Sequence, residues 1–291
     1  MELTNPNNTY FLIYTDYGKL KYFGDFTRRY RKVLDDYLTR PELLSRYLLV
    51  SVEDSTFPLQ IVHSEDYIKE LLEKAARDDQ IKELISCDHR AVMATVKACE
   101  LAIEGRGVAY HLGGGFHHAK KDELGAFDAY NDIALAVTHV QSKYKLNKIM
   151  IVDLDCHHAN GTQAIFSKDP RVMQISFHGW GIFPGSGDTK EIGEEQGLGS
   201  KINLPLHSKT GDDTYLYCMR RIIPQLFQFY NPEFVVYQAG VDGHHSDLLG
   251  NLILSLDGLY ERDRIIRNLT KNIPVAVIRG GGYNDNYAPK A

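Results

Sequence analysis

Short apolar runs rich in β-branched residues recur through the second half of the chain: KIMIVDLD (148–155), RVMQISF (171–177), EFVVYQAG (233–240) and IPVAVIRGGG (273–282). Runs of this length that are continuous rather than alternating predict strands covered on both faces. Apolar residues return at helical spacing over 213–229 and 257–272, and also over 67–77, 90–105 and 128–144, which predicts helices there. Strands alternating with helices imply an α/β fold, a single doubly wound, mostly parallel sheet with helices on both faces. No internal repeat, low-complexity tract or Pro/Ser-rich linker breaks the pattern, so residues 1–291 read as one domain. The glycine-rich stretch 179–200 reads as a long loop of the kind kept to shape a site.

In such sheets function gathers just beyond the carboxyl ends of the strands. Asp153 to His158 close the first run, His178 follows the second, Asp242 the third and Tyr283 the fourth. Composition then acts by exclusion. With 43% hydrophobic and 24% charged residues the chain is an ordinary globular one, and 33 basic against 38 acidic residues give a net charge of −5. No global positive field exists to hold a phosphate backbone, so direct nucleic-acid binding is disfavoured. The apolar stretch from Tyr10 to Tyr14 is too short for a membrane span or a signal segment. Cys87, Cys99, Cys156 and Cys218 lie far apart without a C-x-x-C pair, which fits neither a disulfide framework nor a thiolate zinc site. The expectation is a cytoplasmic protein.

Histidine placement carries the first chemical signal. Twelve histidines would give roughly 0.5 adjacent pairs by chance, yet His117-His118, His157-His158 and His244-His245 all occur, each near glycine or aspartate. In DLDCHHANGT (153–162) an extended backbone sends Asp153, Asp155 and His157 to one side, with Leu154 and Cys156 toward packing on the other. Crowded carboxylates repel unless a cation or proton sits among them, so this face points to a bound metal. A further ligand must come from another strand end, and Asp242 in AGVDGHHSD is the best placed. Two carboxylates and one imidazole with an open position suit a catalytic site. Zinc is the first choice and iron is compatible with the mixed nitrogen and oxygen set. His244 and His245 read as rim residues rather than ligands. Both glycine triplets, 113–115 and 280–282, lack the Lys-Ser/Thr of a phosphate loop.

GGGFHHAKKDELGAFDAYND (113–132), DLDCHHANGT, ISFHGWGIFPGSGD (175–188), AGVDGHHSD (239–247) and RGGGYN (279–284), preceded by HSEDYI (63–68), resemble in order the motifs of the zinc-dependent histone deacetylase family. The resemblance runs from about residue 10 to 287 and implies the arginase/deacetylase type of α/β fold. It implies one catalytic zinc held by Asp155, His157 and Asp242. His117 and His118 would be the active-site pair, the second acting as general base and then acid, with Tyr283 as the transition-state donor. Asp153 would stand behind His117 and Asn160 behind His118. Phe127, Phe183, Gly125 and Leu249 would line the acyl-lysine channel. A structural potassium ion would take the Asp153 side chain, the Ser176 hydroxyl and carbonyls of Phe177, Asp155 and His157.

Several features depart from the family pattern. FTRRYRKVLDDYL (26–38) replaces the usual HPERP-type stretch, Leu248 stands where many members have proline, and only eight residues follow Tyr283. Together with Asn160 and the short aromatic loop, these features are similar to the class IV branch and its bacterial relatives. Leu249 occupies the place of a glutamate in acetylpolyamine amidohydrolases, and an apolar residue there cannot pair with a polyamine cation. The expected function is hydrolysis of Nε-acyl-lysine, acetyl or longer, on histone or other proteins. Acetylpolyamine hydrolysis, a binuclear manganese ureohydrolase and a silent acyl-lysine reader are the alternatives; the ureohydrolase would need a D-x-D at the last ligand, where Gly243 and His244 follow Asp242.

Overall fold

The computed structural model describes residues 10–14, 32–36, 38–40, 47–52, 56–105 and 107–284. Most of the 26–38 stretch and everything after residue 284 lie outside them. Eight strands, β1 (Tyr10–Tyr14), β2 (Tyr47–Ser51), β3 (Val108–His111), β4 (Ile149–Asp153), β5 (Val172–Gly179), β6 (Lys201–Leu206), β7 (Phe234–Gln238) and β8 (Val275–Ile278), form one sheet in the order β2-β1-β3-β8-β7-β4-β5-β6. Every pairing is parallel, so the sheet is wholly parallel where the sequence pattern led to mostly parallel.

Alternation along each strand sorts side chains onto two cores. Ile149 and Ile151 of β4, Phe234 and Val236 of β7 and Ala276 of β8 pack with the helices α1 (Glu65–Ala75), α2 (Asp79–Gly105) and α3 (Asp132–Tyr144). Met150, Val152, Val235, Tyr237 and Val275 face the other way, against α5 (Asp212–Tyr230) and α6 (Leu256–Leu269). The one-turn shift of α3 relative to the expected 128–144 has a local cause: the Asn131 side chain accepts from Ala134 N at 2.8 Å and caps the helix there. Ser64 caps α1 in the same way through Tyr67 N.

Elements that sequence periodicity left unassigned are short, peripheral or polar inside. β1 and β3 have five and four residues, and β6 carries Pro205, tolerable because β6 is an edge strand. The helix α4 (Asn160–Phe166) has seven residues. α2 begins at Asp79, earlier than the apolar periodicity implies, because that periodicity is interrupted by Asp88, which sits fully buried on the apolar stripe between Leu84 and Ala91. The Asp88 carboxylate accepts the backbone N–H groups of Ala129 and Tyr130.

Because Ile151 lies fully buried in a central strand, Ile151→Ala should cost about 2–5 kcal/mol. Leu49→Ala, on the half-exposed edge strand β2, should stay within about 0.5 kcal/mol. Denaturant midpoints of the two variants check the contrast.

Candidate metal centre and active site

Four adjacent strands in the middle of the sheet, β3, β8, β7 and β4, deliver the site from the loops beyond their carboxyl ends. Asp155 and His157 follow β4, and Asp242 follows β7, its hydrogen-bonded neighbour. All three are buried, and one donor atom from each lies within 4.8 Å of the others. His157 Nδ1 stands 2.8 Å from Asp242 Oδ2 and 3.2 Å from Asp155 Oδ1. Two carboxylates and a neutral-capable imidazole aimed at one locus fit a divalent ion of the zinc or iron kind.

Electrostatics say the same. Burial and the Asp155 carboxylate push Asp242 up to about 7. Asp155 is held well below the carboxylate range, against its burial, by His117 and His157. The two carboxylates raise His157 to about 11, overcoming the burial that would lower it. This pocket of negative charge seeks a cation, and a proton on His157 fills that role when no metal does.

The backbone is drawn tightly around these ligands. Gly281 N–H donates to Asp155 Oδ2 at 2.7 Å, Gln238 Nε2 to the same oxygen at 3.1 Å, and Cys156 N–H to Asp242 Oδ1 at 2.7 Å. A Cβ on Gly281 would fall 2.4 Å from Asp242 Oδ2 and 2.6 Å from Asp155 Oδ2, so only glycine fits. Behind the ligands, the fully buried Arg262 of α6 donates through Nη1 to the carbonyls of Leu154, at 3.3 Å, and Gly240, at 2.6 Å. One guanidinium thereby ties the two loops that carry the ligands. Arg262 and Gln238 escaped the sequence reading, although Arg262 falls on the apolar stripe of its helix beside Leu259 and Ile266.

The tandem histidines follow β3. His117 Nδ1 lies 2.9 Å from Asp153 Oδ2, and its Nε2 lies 3.1 Å from His118 Nε2. His118 Nδ1 lies 2.8 Å from Asn160 Oδ1. Burial would lower His117, but the carboxylates of Asp153 and Asp155 raise it to about 9. Burial and the charge on His117 push His118 well below its ordinary value. A charged imidazole and a neutral one thus sit side by side, the division that acid-base chemistry uses. Their loop hangs from buried carboxylates: Asp132 accepts Gly115 N–H at 3.1 Å and Phe116 N–H at 2.7 Å, and Asp128 accepts His118 N–H at 2.7 Å.

Asp155, His157, His117 and His118 line a cavity of about 340 Å³, closed by Phe127, Phe183, Leu249 and Tyr283, with Asp242 behind the other two ligands. The ring centroid of Phe183 is 4.8 Å from that of His118, and that of Tyr283 is 6.1 Å from that of His157. Tyr283 N–H donates to Asp247 Oδ2 at 2.7 Å, which fixes its backbone to the loop after β7. Gly125 packs against the His118 backbone instead of the cavity, where a Cβ would meet the His118 carbonyl at 2.2 Å. Ser176 pairs with Asp153 across β4 and β5, and both are buried, with the Ser176 hydroxyl 3.0 Å from His178 Nδ1. Phe177 is fully buried next to it. His111 and His178 are likewise buried, and burial lowers each to about 3. His244 and His245 stack with centroids 4.2 Å apart, outside the ligand cluster.

Since a methyl at position 281 must displace one of these carboxylates, Gly281→Ala should weaken binding of a divalent cation at this cluster by roughly tenfold or more. Chelator competition on the folded variant measures that loss.

A family model described as histone deacetylase domain matches residues 27–291. The acetoin utilization protein AcuC of Staphylococcus aureus is 30% identical over 282 residues, covering 89% of this chain and 72% of that protein. Histone deacetylase 6 of Arabidopsis thaliana is 36% identical over 187 residues, covering 64% of this chain and 39% of the plant protein. Histone deacetylase B of Dictyostelium discoideum is 37% identical over 178 residues, 60% of this chain and 41% of that protein. The matched stretch is thus less than half of the last two relatives. With a parallel α/β sheet and the motifs set around one cluster, the chain belongs to the histone deacetylase family of amide hydrolases.

Proposed function

We propose that this chain hydrolyses Nε-acyl-lysine side chains of proteins or peptides, with one zinc ion held by Asp155, His157 and Asp242. The observation that carries the reading is the meeting of those three donors at the floor of a cavity walled by His117, His118 and Tyr283. A divalent cation held there supplies a Lewis acid for the amide carbonyl and makes water a nucleophile near neutral pH.

The side chains divide the remaining work. Asn160 Oδ1 accepts from His118 Nδ1, so the lone pair of the neutral imidazole lies on Nε2; there it accepts from His117 Nε2 at 3.1 Å, and once the attacking water takes that place it receives the water's proton. The same nitrogen returns that proton to the departing lysine amine. His117, kept charged by Asp153, holds positive potential beside the reacting carbonyl. The Tyr283 hydroxyl donates a hydrogen bond to the tetrahedral oxyanion. Phe127 and Phe183, both about half exposed, sandwich the apolar stem of the lysine at the mouth.

One ligand cluster among the described residues supports a mononuclear site over a binuclear ureohydrolase. Leu249 at the rim offers no charge to a polyamine. The reading includes a potassium ion behind the site, at Asp153, Ser176 and the carbonyls of Asp155, His157 and Phe177, supported by the burial of that acidic pocket. It also places the protein in the cytoplasm, which four free cysteines support; among the described residues no helix is long and apolar enough to cross a membrane.

Chelation should abolish hydrolysis of an acetyl-lysine peptide and stoichiometric zinc should restore it; activity indifferent to both would overturn the reading. His118→Ala should lower turnover by about 10² or more while elemental analysis finds zinc retained.

A further inference from the structure

One carboxyl on the cavity wall has no part in the hydrolysis described above. Asp128 lines the cavity and is only 6% exposed, whereas Phe127, Phe183 and Leu249 at the mouth are 48–50% exposed. Its Oδ2 accepts the His118 N–H, and reciprocal backbone bonds with Gly125, at 3.0 and 2.6 Å, fix the turn that carries it. Among the described residues Oδ1 takes no hydrogen bond, and it is not sealed away in the protein interior. Asp128 lines the same cavity as Asp155 and His157, so the acyl end of a lysine that enters between the two phenylalanines lies in the space that this carboxyl borders.

The chemistry of that end follows. An alkyl acyl group packed against Oδ1 would cover it without offering a hydrogen bond, which is costly for a polar atom. A hydroxyl group supplies that bond. Burial pushes Asp128 up to about 7, opposed by the charge on His117 and the His118 N–H, so both protonation states are populated near neutrality. Because Oδ2 is already accepting, the proton resides on Oδ1 when present. A hydroxyl satisfies either state, donating to the carboxylate or accepting from the acid, while an ammonium suits only the first.

We propose that Asp128 is a specificity-determining residue that selects short acyl groups bearing a hydroxyl beside the carbonyl, of which the lactoyl group is a small example, over alkyl acyl groups of the same length. The proposal rests on the deacylase reading above.

The test is the ratio of kcat/KM for one peptide carrying lactoyl-lysine or propanoyl-lysine, measured on the zinc-loaded enzyme and on Asp128→Val and Asp128→Asn. The wild-type ratio should favour lactoyl by roughly tenfold or more, since a site built for a hydroxyl rejects the analogue lacking it. Asp128→Val should bring the ratio to about one. Loss of the His118 N–H acceptor in that variant lowers both rates together and leaves the ratio unmoved, so the ratio separates substrate contact from a purely structural role. Asp128→Asn, which keeps a polar atom toward the acyl group, should retain a lactoyl preference. A wild-type ratio near one, or an unchanged ratio in Asp128→Val, overturns the proposal while leaving the deacylase reading standing. Failure of the zinc-loaded wild type to cleave acetyl-, lactoyl- and propanoyl-lysine alike overturns both.

Discussion

Negative charge forced together without water is the constraint on which this molecule turns. Asp153, Asp155 and Asp242 are each essentially inaccessible to solvent, at the ends of the neighbouring strands β4 and β7. In a low-dielectric interior such a group is untenable as three bare anions, and each acid has a distinct remedy. Asp153 takes the imidazolium of His117, while for Asp155 and Asp242 the opposing charge is either a proton on His157 or a cation in its place. A cation bound there would be the counter-charge that lets the strand ends meet, as well as the seat of the proposed chemistry.

Holding the ligands in register falls to groups that touch neither metal nor substrate. Arg262 binds the carbonyls of Leu154 and Gly240 together, Gln238 bridges Asp155 and the Gly240 N–H, and Gly281 lets the loop after β8 close over both carboxylates. The same guanidinium donates through Nε to Asp263 Oδ1 at 2.8 Å, so its charge is paired with a carboxylate of its own helix while Nη1 binds the two carbonyls. The histidine loop follows the complementary rule. Its buried backbone donors at Phe116 and His118 are taken by Asp132 and Asp128, and those of Ala129 and Tyr130 in the next turn by Asp88, so these acids are spent on fixing peptide N–H groups.

How much of this can be read from the sequence depends on whether cause and effect are near each other along the chain. The central strands show as apolar runs because both their faces are covered, and Asp155, His157 and Asp242 stand out because carboxylates and imidazoles abruptly follow such runs. Strands at the edges lose that signature: β6 contains Pro205, and β2 leaves Leu48 and Leu49 half exposed. The support of the site is hidden for another reason. Arg262 is 108 residues from the Leu154 carbonyl that it binds, and Asp88 is 41 from the Ala129 amide. Each stands on the apolar stripe of its helix, but its partner comes near only when the chain folds.

The same separation between ligand and scaffold explains why one sheet can keep its chemistry while its substrates vary. The donors to the cation and the two imidazoles directly follow three central strands, β3, β4 and β7, whose register is set by buried aliphatic side chains on both faces. The cavity wall comes from loops: the turn at Gly125–Asp128, the segment containing Phe183 and the rim at Leu249. A change in those loops alters what fits beside the carbonyl without moving the donors to the metal. Asp128 stands at the junction of the two layers, because one carboxyl oxygen fixes the backbone of the neutral imidazole and the other faces the acyl group. Such a residue couples recognition to chemistry through a single side chain.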